Sequence, residues 1–240
     1  MYAPAPLSSF LLPGQRVSSA DLQQLIHAGR VLEKIKRTGE AKVILCEPSG
    51  DSPIIIKLWR SEWTPSSTWL RPYASRFRHN AARLRSLGVS APQVRGWGRV
   101  RGSRIHFVSY DRLAGTPLRN LIPCIDLEAA GAYVAHLHEL GIDFRSLHLG
   151  NILWDAQAGF SLIDVTDCTF GRRFTLKKRI GRIGYFCWHR KDRSYLQRDD
   201  TWIRFVRGYC QASGTDPDAI ISKLATTPTY RQLDKPRSEP

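Results

Sequence analysis

The sequence predicts an α+β fold, strand-rich in its first part and helical in its second. Three observations carry this expectation. β-branched and alternating runs crowd the first 110 residues. Apolar residues recur at helical spacing through most of the remainder. Strands and helices also fail to alternate, which argues against a doubly wound parallel sheet.

The elements follow in order. Residues 1–17 are rich in Pro and Ser and read as an irregular lead-in. Residues 19–29 suit a short helix, with Ser19 as N-cap and Gly29 as stop. Strands are expected at 31–37, 42–47 and 53–59, with turns at Thr38-Gly39-Glu40 and Ser49-Gly50-Asp51, giving an antiparallel meander. A helix over 73–87 places Phe77, Ala81, Leu84 and Leu87 on one face, and Gly88 ends it. Two further strands are expected at 93–100 and 105–110. Residues 126–140 form a second apolar-faced helix, and 152–154 with 160–165 form a hairpin around Asp155-Ala156-Gln157-Ala158-Gly159. Residues 174–224 read as mainly helical, and the tail after Thr226 as frayed. The implied division is a lead-in with short helix (1–30), a strand-rich domain (31–110), a helical domain (111–226) and a flexible tail (227–240).

Composition bounds the function. A chain of 240 residues, 42% hydrophobic and 24% charged, can bury a core without covalent staples. Its net charge of +15 calls for an anionic partner, be it nucleic acid, acidic membrane, or a phosphorylated or carboxylated glycan. A nucleic-acid binder would interleave aromatic and basic residues on a known module, and none is found, so nucleic acid is not expected. Cys46, Cys124, Cys168, Cys187 and Cys210 are odd in number and show no paired or metal-binding spacing, which suits reduced, packed thiols in the cytosol. No run approaches the roughly 18 apolar residues that span a bilayer. The start lacks a basic segment ahead of its short apolar run, so no signal peptide is expected.

The chemistry-bearing residues fall at telling intervals. Lys57 closes the strand Ile54-Ile55-Ile56. The stretch from Gly141 through Asp143, Arg145, Ser146, His148 and Asn151 to Leu153 follows an apolar helix and precedes the hairpin. Asp164 ends the apolar strand Phe160-Ser161-Leu162-Ile163, thirteen residues after Asn151. A lysine after a β-branched strand, an amide in a loop and an aspartate beyond a hairpin are the parts phosphoryl transfer needs to hold phosphates and magnesium.

This set resembles the catalytic machinery of protein-kinase-like folds. Within that class, Tyr110-Asp111-Arg112-Leu113-Ala114-Gly115-Thr116-Pro117-Leu118-Arg119-Asn120-Leu121 and Leu87-Gly88-Val89-Ser90-Ala91-Pro92 resemble the kinases that phosphorylate heptose or Kdo in the inner core of bacterial lipopolysaccharide. The resemblance runs from about Val31 to Leu196 and is most specific in the catalytic loop and hinge. It implies ATP and Mg²⁺ as cofactors, with Lys57, Gly39, Asn151 and Asp164 as ATP-binding residues and Asn151 and Asp164 as metal ligands. It implies catalytic roles for Asp164, Asp143, Ser146 and Arg145, and acceptor contacts from His148, Arg172, Arg173, Lys177 and Lys178. The implied partner is an anionic glycolipid, the lipopolysaccharide core. The implied location is cytoplasmic, peripheral on the cytoplasmic face of the inner membrane.

Three departures from the pattern are visible. Ser146 stands five residues before Asn151, where the resemblance expects the catalytic Asp. Asp143 is the nearest replacement, or else a polar residue of the turn after the helix. Asn80 falls where a helix glutamate would pair with Lys57, and the turn 38–41 holds only Gly39. Two readings therefore stand open: a kinase of an inner-core sugar, or a nucleotide-binding pseudokinase that scaffolds or regulates envelope assembly.

Overall fold

The computed structural model describes residues 5–35, 38–49, 51–61, 72–122, 124–171, 174–188, 192, 195–196 and 200–225. The chain forms two compact units, Met1–Leu113 and Ala114–Pro240. It is an α+β protein with the element order expected of a protein-kinase-like fold.

The first unit is a six-stranded sheet in the order β1-β5-β6-β4-β3-β2. The strands are β1 (Gln15–Val17), β2 (Arg30–Lys34), β3 (Ala41–Cys46), β4 (Ile54–Arg60), β5 (Val94–Val100) and β6 (Ile105–Asp111). β2, β3 and β4 form the expected antiparallel meander, and β4 pairs antiparallel with β6. The isoleucines of β4 explain its central place: Ile54 and Ile56 are almost fully buried, as suits β-branched residues on a covered sheet. The long helix of this unit covers the sheet with Phe77, Ala81 and Leu84, the face that the periodicity marks.

The N-terminal segment differs from the expected loose lead-in. α1 (Ala5–Phe10) and α2 (Ser19–Ala28) flank β1, which pairs parallel with β5. Phe10 is completely buried against Phe107, with ring centroids 4.8 Å apart. Ser109 Oγ donates to the Phe10 carbonyl at 2.5 Å. Burying such a ring contributes about 1.5–3 kcal/mol, enough to hold a segment whose composition reads as irregular. The N-cap of α2 is Ser18 rather than Ser19: its hydroxyl accepts from Asp21 N–H, while the Asp21 carboxylate accepts from Ser18 N–H. α3 (Tyr73–Ser86) follows in the place expected for a helix.

The second unit opens with β7 (Thr116–Pro117) and the single turn α4 (Leu118–Leu121). α5 (Leu127–Glu139) starts at Asp126, whose carboxylate accepts from the Glu128 and Ala129 N–H groups. Then come β8 (Ile142–Phe144), the hairpin β9 (Ile152–Asp155) and β10 (Gly159–Leu162), a 3-10 turn (Val165–Asp167) and β11 (Cys168–Phe170). α6 (Leu176–Trp188), α7 (Thr201–Ser213) and α8 (Pro217–Ala225) complete it. The hairpin strand ends at Leu162, three residues before the expected 165, because Asp164 turns the backbone left-handed. Of the cysteines, Cys46, Cys168 and Cys210 are buried and Cys124 exposed, all as free thiols. Burial pushes the Cys46 thiol up to about 11, and the Cys168 and Cys210 thiols upward as well, as in packed rather than reactive cysteines.

Candidate phosphotransfer site

The site residues of the second unit sit on one loop tied at both ends. β8 and β11 pair antiparallel, with Phe144 opposite Cys168 and Asp143 opposite Thr169. This pairing runs the residues just after β8 alongside those just before β11. Arg145 N–H accordingly points to the Asp167 carbonyl at 3.4 Å.

Asn151 is buried, and its orientation is fixed. Its Nδ2 donates to the Ser146 carbonyl at 2.9 Å. Among the described residues nothing donates to its Oδ1. Its backbone carbonyl accepts from Ile163 N–H at 3.0 Å, which brings the residue before Asp164 against it. Asp164 has φ 54° and ψ 42° and is the one non-glycine residue with positive φ among those described. That conformation costs about 1–2 kcal/mol in an L-residue, and such strain concentrates at functional positions. Thr166 Oγ1 lies 3.5 Å from Asp164 Oδ1.

The described residues hold no cluster of three or more His, Cys, Asp or Glu side chains placed to bind a metal. An amide and a carboxylate are nevertheless what magnesium takes from a protein when phosphate oxygens and water fill its remaining positions. Asn151 and Asp164 therefore fit a magnesium–nucleotide ligand, though not a metal held by protein alone.

Ser146, at the position expected to carry the catalytic Asp, has a carboxylate partner all the same. Its Oγ donates to Asp167 Oδ2 at 2.6 Å, the short distance of a charge-assisted bond. Asp143 is placed otherwise. It is buried, with Arg182 Nε 2.5 Å from Oδ1, Arg182 Nη2 donating to Oδ2 at 3.1 Å and Lys178 Nζ 3.0 Å from Oδ2. Lys178 and Arg182 stand one turn apart on α6 and grip the carboxylate from one face. Desolvation pushes the Asp143 carboxyl up, but the hydrogen bonds from Arg182 and Lys178 outweigh it and hold it below the usual range. Asp167, Asp143 and Asp164 all act on the Cys168 thiol after burial itself, so three carboxylates surround this turn.

His148, expected at the acceptor, is built into the loop. Its Nδ1 accepts from Gly150 N–H at 3.0 Å and lies 3.3 Å from Arg119 Nη2. Arg119 is ion-paired with Asp192, which is fully buried and also accepts from Leu149 N–H at 3.1 Å. A Cβ on Gly150 would stand 2.7 Å from the Arg119 guanidinium, so a side chain there would displace Arg119 from its place beside His148. Sequence reasoning missed Asp167, Arg119 and Asp192. Only Asp167 had a local signal, its spacing of three residues from Asp164.

In the first unit, Lys57 is buried at 4% exposure beside the rings of Trp59 (5.4 Å) and Phe77 (5.9 Å). A buried ammonium requires such compensation. Asn80 is buried one turn beyond Phe77 on α3, in the place where a pairing glutamate was expected. Gly39 lies in a turn closed on itself: its N–H donates to the Ile35 carbonyl at 2.8 Å, and Ile35 N–H donates to the Glu40 carbonyl at 2.8 Å. That amide is therefore spent within the turn. The neighbouring Glu40 carboxylate, paired with Arg60, adds negative charge where a phosphate loop would have none. Cavities of about 420 and 510 Å³ in this unit are lined by Arg78 and Trp97, away from Lys57.

The basic segment after Asp164 is partly spent on the fold. Lys178 and Arg182 hold Asp143, and the buried Arg179 donates to Glu139 at 2.6 Å. Lys177 is exposed, and so is Arg145 in the loop. Arg172 and Arg173, also expected at the acceptor, lie outside the described residues.

No protein-family model matches this chain, and no curated protein matches it. Solved structures are similar at low identity. One is a divergent kinase lacking the glycine-rich loop, which regulates membrane ultrastructure of the Toxoplasma parasitophorous vacuole. It is 14% identical with a TM-score of 0.49, over 98% of this chain and 93% of that one. Another is the bifunctional kinase-methyltransferase WbdD, 16% identical with a TM-score of 0.42, over 81% of this chain and 44% of that one. A monomeric form of WbdD gives 15% identity and a TM-score of 0.45, over 77% and 44%. The chain thus spans less than half the length of WbdD. The fold class itself rests on the strand order, the pinned loop and the hairpin described above.

Proposed function

We propose that this chain is an ATP-dependent phosphotransferase acting on a hydroxyl of an anionic glycolipid, with an inner-core heptose or Kdo of lipopolysaccharide as acceptor. The observation that carries the reading is the pinned Asn151 beside Asp164. One has its amide fixed by Ser146, and the other is held in a strained left-handed turn. Bound magnesium-ATP supplies the phosphoryl group and offsets the charge that develops on it. Asn151 and Asp164 hold the metal, and Lys57 is the buried cation that the resemblance assigns to the phosphates. The net charge of +15 and the exposed Arg145 and Lys177 suit an acceptor rich in phosphate and carboxylate. No described helix is long and apolar enough to cross a membrane. In this reading the glycolipid is met at the membrane surface, on its cytoplasmic face.

The test combines purified protein, magnesium-ATP and dephosphorylated core oligosaccharide, with mass spectrometry reading the glycan. The expected result is phosphate added by the wild type and lost at least about 100-fold in Asp164→Ala, a barrier change of roughly 2.7 kcal/mol. The second reading, a nucleotide-binding pseudokinase of envelope assembly, is favoured by Ser146 and by the closed turn at Gly39. It requires nucleotide binding with no phosphate appearing on the glycan.

A further inference from the structure

The catalytic loop keeps its scaffolding but not its carboxylate. Asn151 pins the backbone of residue 146, and the Asp192–Arg119 pair anchors Leu149. Yet the side chain at 146 is a hydroxyl, which alone is a poor base near neutral pH. Asp143, the nearest acid in sequence, is gripped by Lys178 and Arg182 and faces α6. A carboxylate comes instead from the other side of the β8–β11 pairing, where Asp167 Oδ2 accepts from Ser146 Oγ at 2.6 Å.

We propose that Ser146 and Asp167 together replace the missing aspartate, with Ser146 Oγ taking the proton of the attacking hydroxyl and passing its own to Asp167. This rests on the phosphotransferase reading above. Ser146 is the catalytic residue, since its Oγ meets the acceptor. Asp167 acts through it, orienting the hydroxyl and receiving the proton. The step balances as follows. The acceptor oxygen forms a bond to the γ-phosphorus of the nucleoside triphosphate, and the bond from that phosphorus to the bridging oxygen breaks, releasing the diphosphate. The acceptor's proton moves to Ser146 Oγ while the serine proton moves to Asp167. Asp167 then returns it to water.

The geometry suits the task. Arg145 N–H reaches the Asp167 carbonyl, so the backbone of residue 167 is tied to the loop as well as its side chain. The Ser146 carbonyl is held by Asn151, so the metal-binding amide and the proton-accepting hydroxyl share one rigid turn. On this reading Ser146, which suggests a dead enzyme, belongs to a working one whose carboxylate has moved to residue 167.

The experiment uses the full chain and four variants: Asp167→Asn, Ser146→Ala, the exchange Ser146→Asp/Asp167→Ser, and Asp143→Asn. Three quantities are read for each. These are kcat for phosphate transfer to dephosphorylated core oligosaccharide, the Kd for magnesium-ATP by calorimetry, and the melting temperature. Asp167→Asn keeps an oxygen for the Ser146 hydrogen bond and so should fold. Its kcat is expected to fall about 100-fold or more, within the range of a lost general base, with Kd changed less than about 3-fold. Ser146→Ala should fall similarly. The exchange, with the carboxylate directly on residue 146, should recover at least about a tenth of wild-type kcat, a rescue that a merely structural role for Asp167 would not give. If the exchange fails to fold, Asp167→Asn decides.

Asp167→Asn within about 3-fold of wild type overturns the inference and leaves the phosphotransferase reading standing. So does a folded exchange no faster than Asp167→Asn. Loss of kcat in Asp143→Asn alone, with Asp167→Asn active, moves the base to Asp143. A wild type that binds magnesium-ATP but transfers phosphate neither to the oligosaccharide nor to water overturns the phosphotransferase reading, and this inference with it, in favour of the pseudokinase.

Discussion

At the scale of single residues, the loop is held by pairs that a sequence shows only in part. The places of Asn151 and Asp164 on either side of one hairpin are legible because they depend on short-range spacing. Asp167, Arg119 and Asp192 are not, because their roles depend on contacts across the fold. Arg119 and Asp192 are 73 residues apart, and Asp167 meets Ser146 through a strand pair of only three residues. Asp143 was legible as an acid but not as an ion-pair partner, since Lys178 and Arg182 lie beyond β11 on another element. Asp143→Asn leaves those two cations facing a neutral amide. Its expected cost is about 1–3 kcal/mol, below the figure for fully buried pairs because Lys178 is half-exposed. A thermal melt would show this as a drop of several degrees. The sign with pH is fixed by the lowered Asp143 carboxyl. Its contribution is present above the ordinary Asp value and is lost as pH falls through the folded one. Gly150→Ala is expected to displace the Arg119 guanidinium from Asp192 and His148, and a lowered melting temperature would register the weakened pair.

At the scale of elements, the second unit depends on how closely α5 and α7 approach. A Cβ on Gly131 would lie 2.0 Å from the Phe205 carbonyl, and one on Gly208 would lie 2.0 Å from the Glu128 carbonyl. Each glycine thus admits the backbone of the other helix. Either Gly131→Ala or Gly208→Ala should cost on the order of 1–3 kcal/mol by overpacking, measured by denaturant unfolding. The same pair buries His138, whose Nδ1 lies 2.9 Å from Tyr209 Oη and whose ring stacks on Phe174. Burial first, then the positive charge of Arg179, push its pKa down to about 3; Asp143 pulls it up by less than Arg179 pushes it down, and Arg182 and Lys178 add smaller downward effects. The folded state keeps this ring neutral while the unfolded chain protonates near pH 6.5. Stability should therefore fall by about 1.4 kcal/mol per pH unit below roughly 6.5, down to the folded value. His138→Gln should flatten that slope in urea titrations between pH 6 and 4, and an unchanged slope would contradict it. The apolar faces of α3 and α5 were legible from periodicity alone. The N-terminal strand β1 was not, because it is three residues long and its anchor, Phe10, is a single aromatic in a Pro- and Ser-rich stretch.

At the scale of the whole molecule, charge and fold class give complementary information. The α+β order was legible because strand and helix signals are segregated along the chain. The +15 charge was legible as a call for an anionic partner, but much of the basic segment thought to serve it proves to be structural, as Lys178, Arg179 and Arg182 show. Binding to vesicles carrying lipopolysaccharide should weaken sharply from about 0.05 to 0.5 M salt as the Debye length shrinks, and salt-independent sedimentation with the vesicles would contradict an electrostatic attachment. The central claim is that Asn151 and Asp164 hold a magnesium–nucleotide complex. Its most direct test is a calorimetric titration of the wild type, Asn151→Ala and Asp164→Ala with ATP, with and without magnesium. The account predicts wild-type binding that requires magnesium and is lost in both variants while their melting temperatures persist. ATP binding that ignores magnesium and both substitutions, or no binding at all, would contradict it.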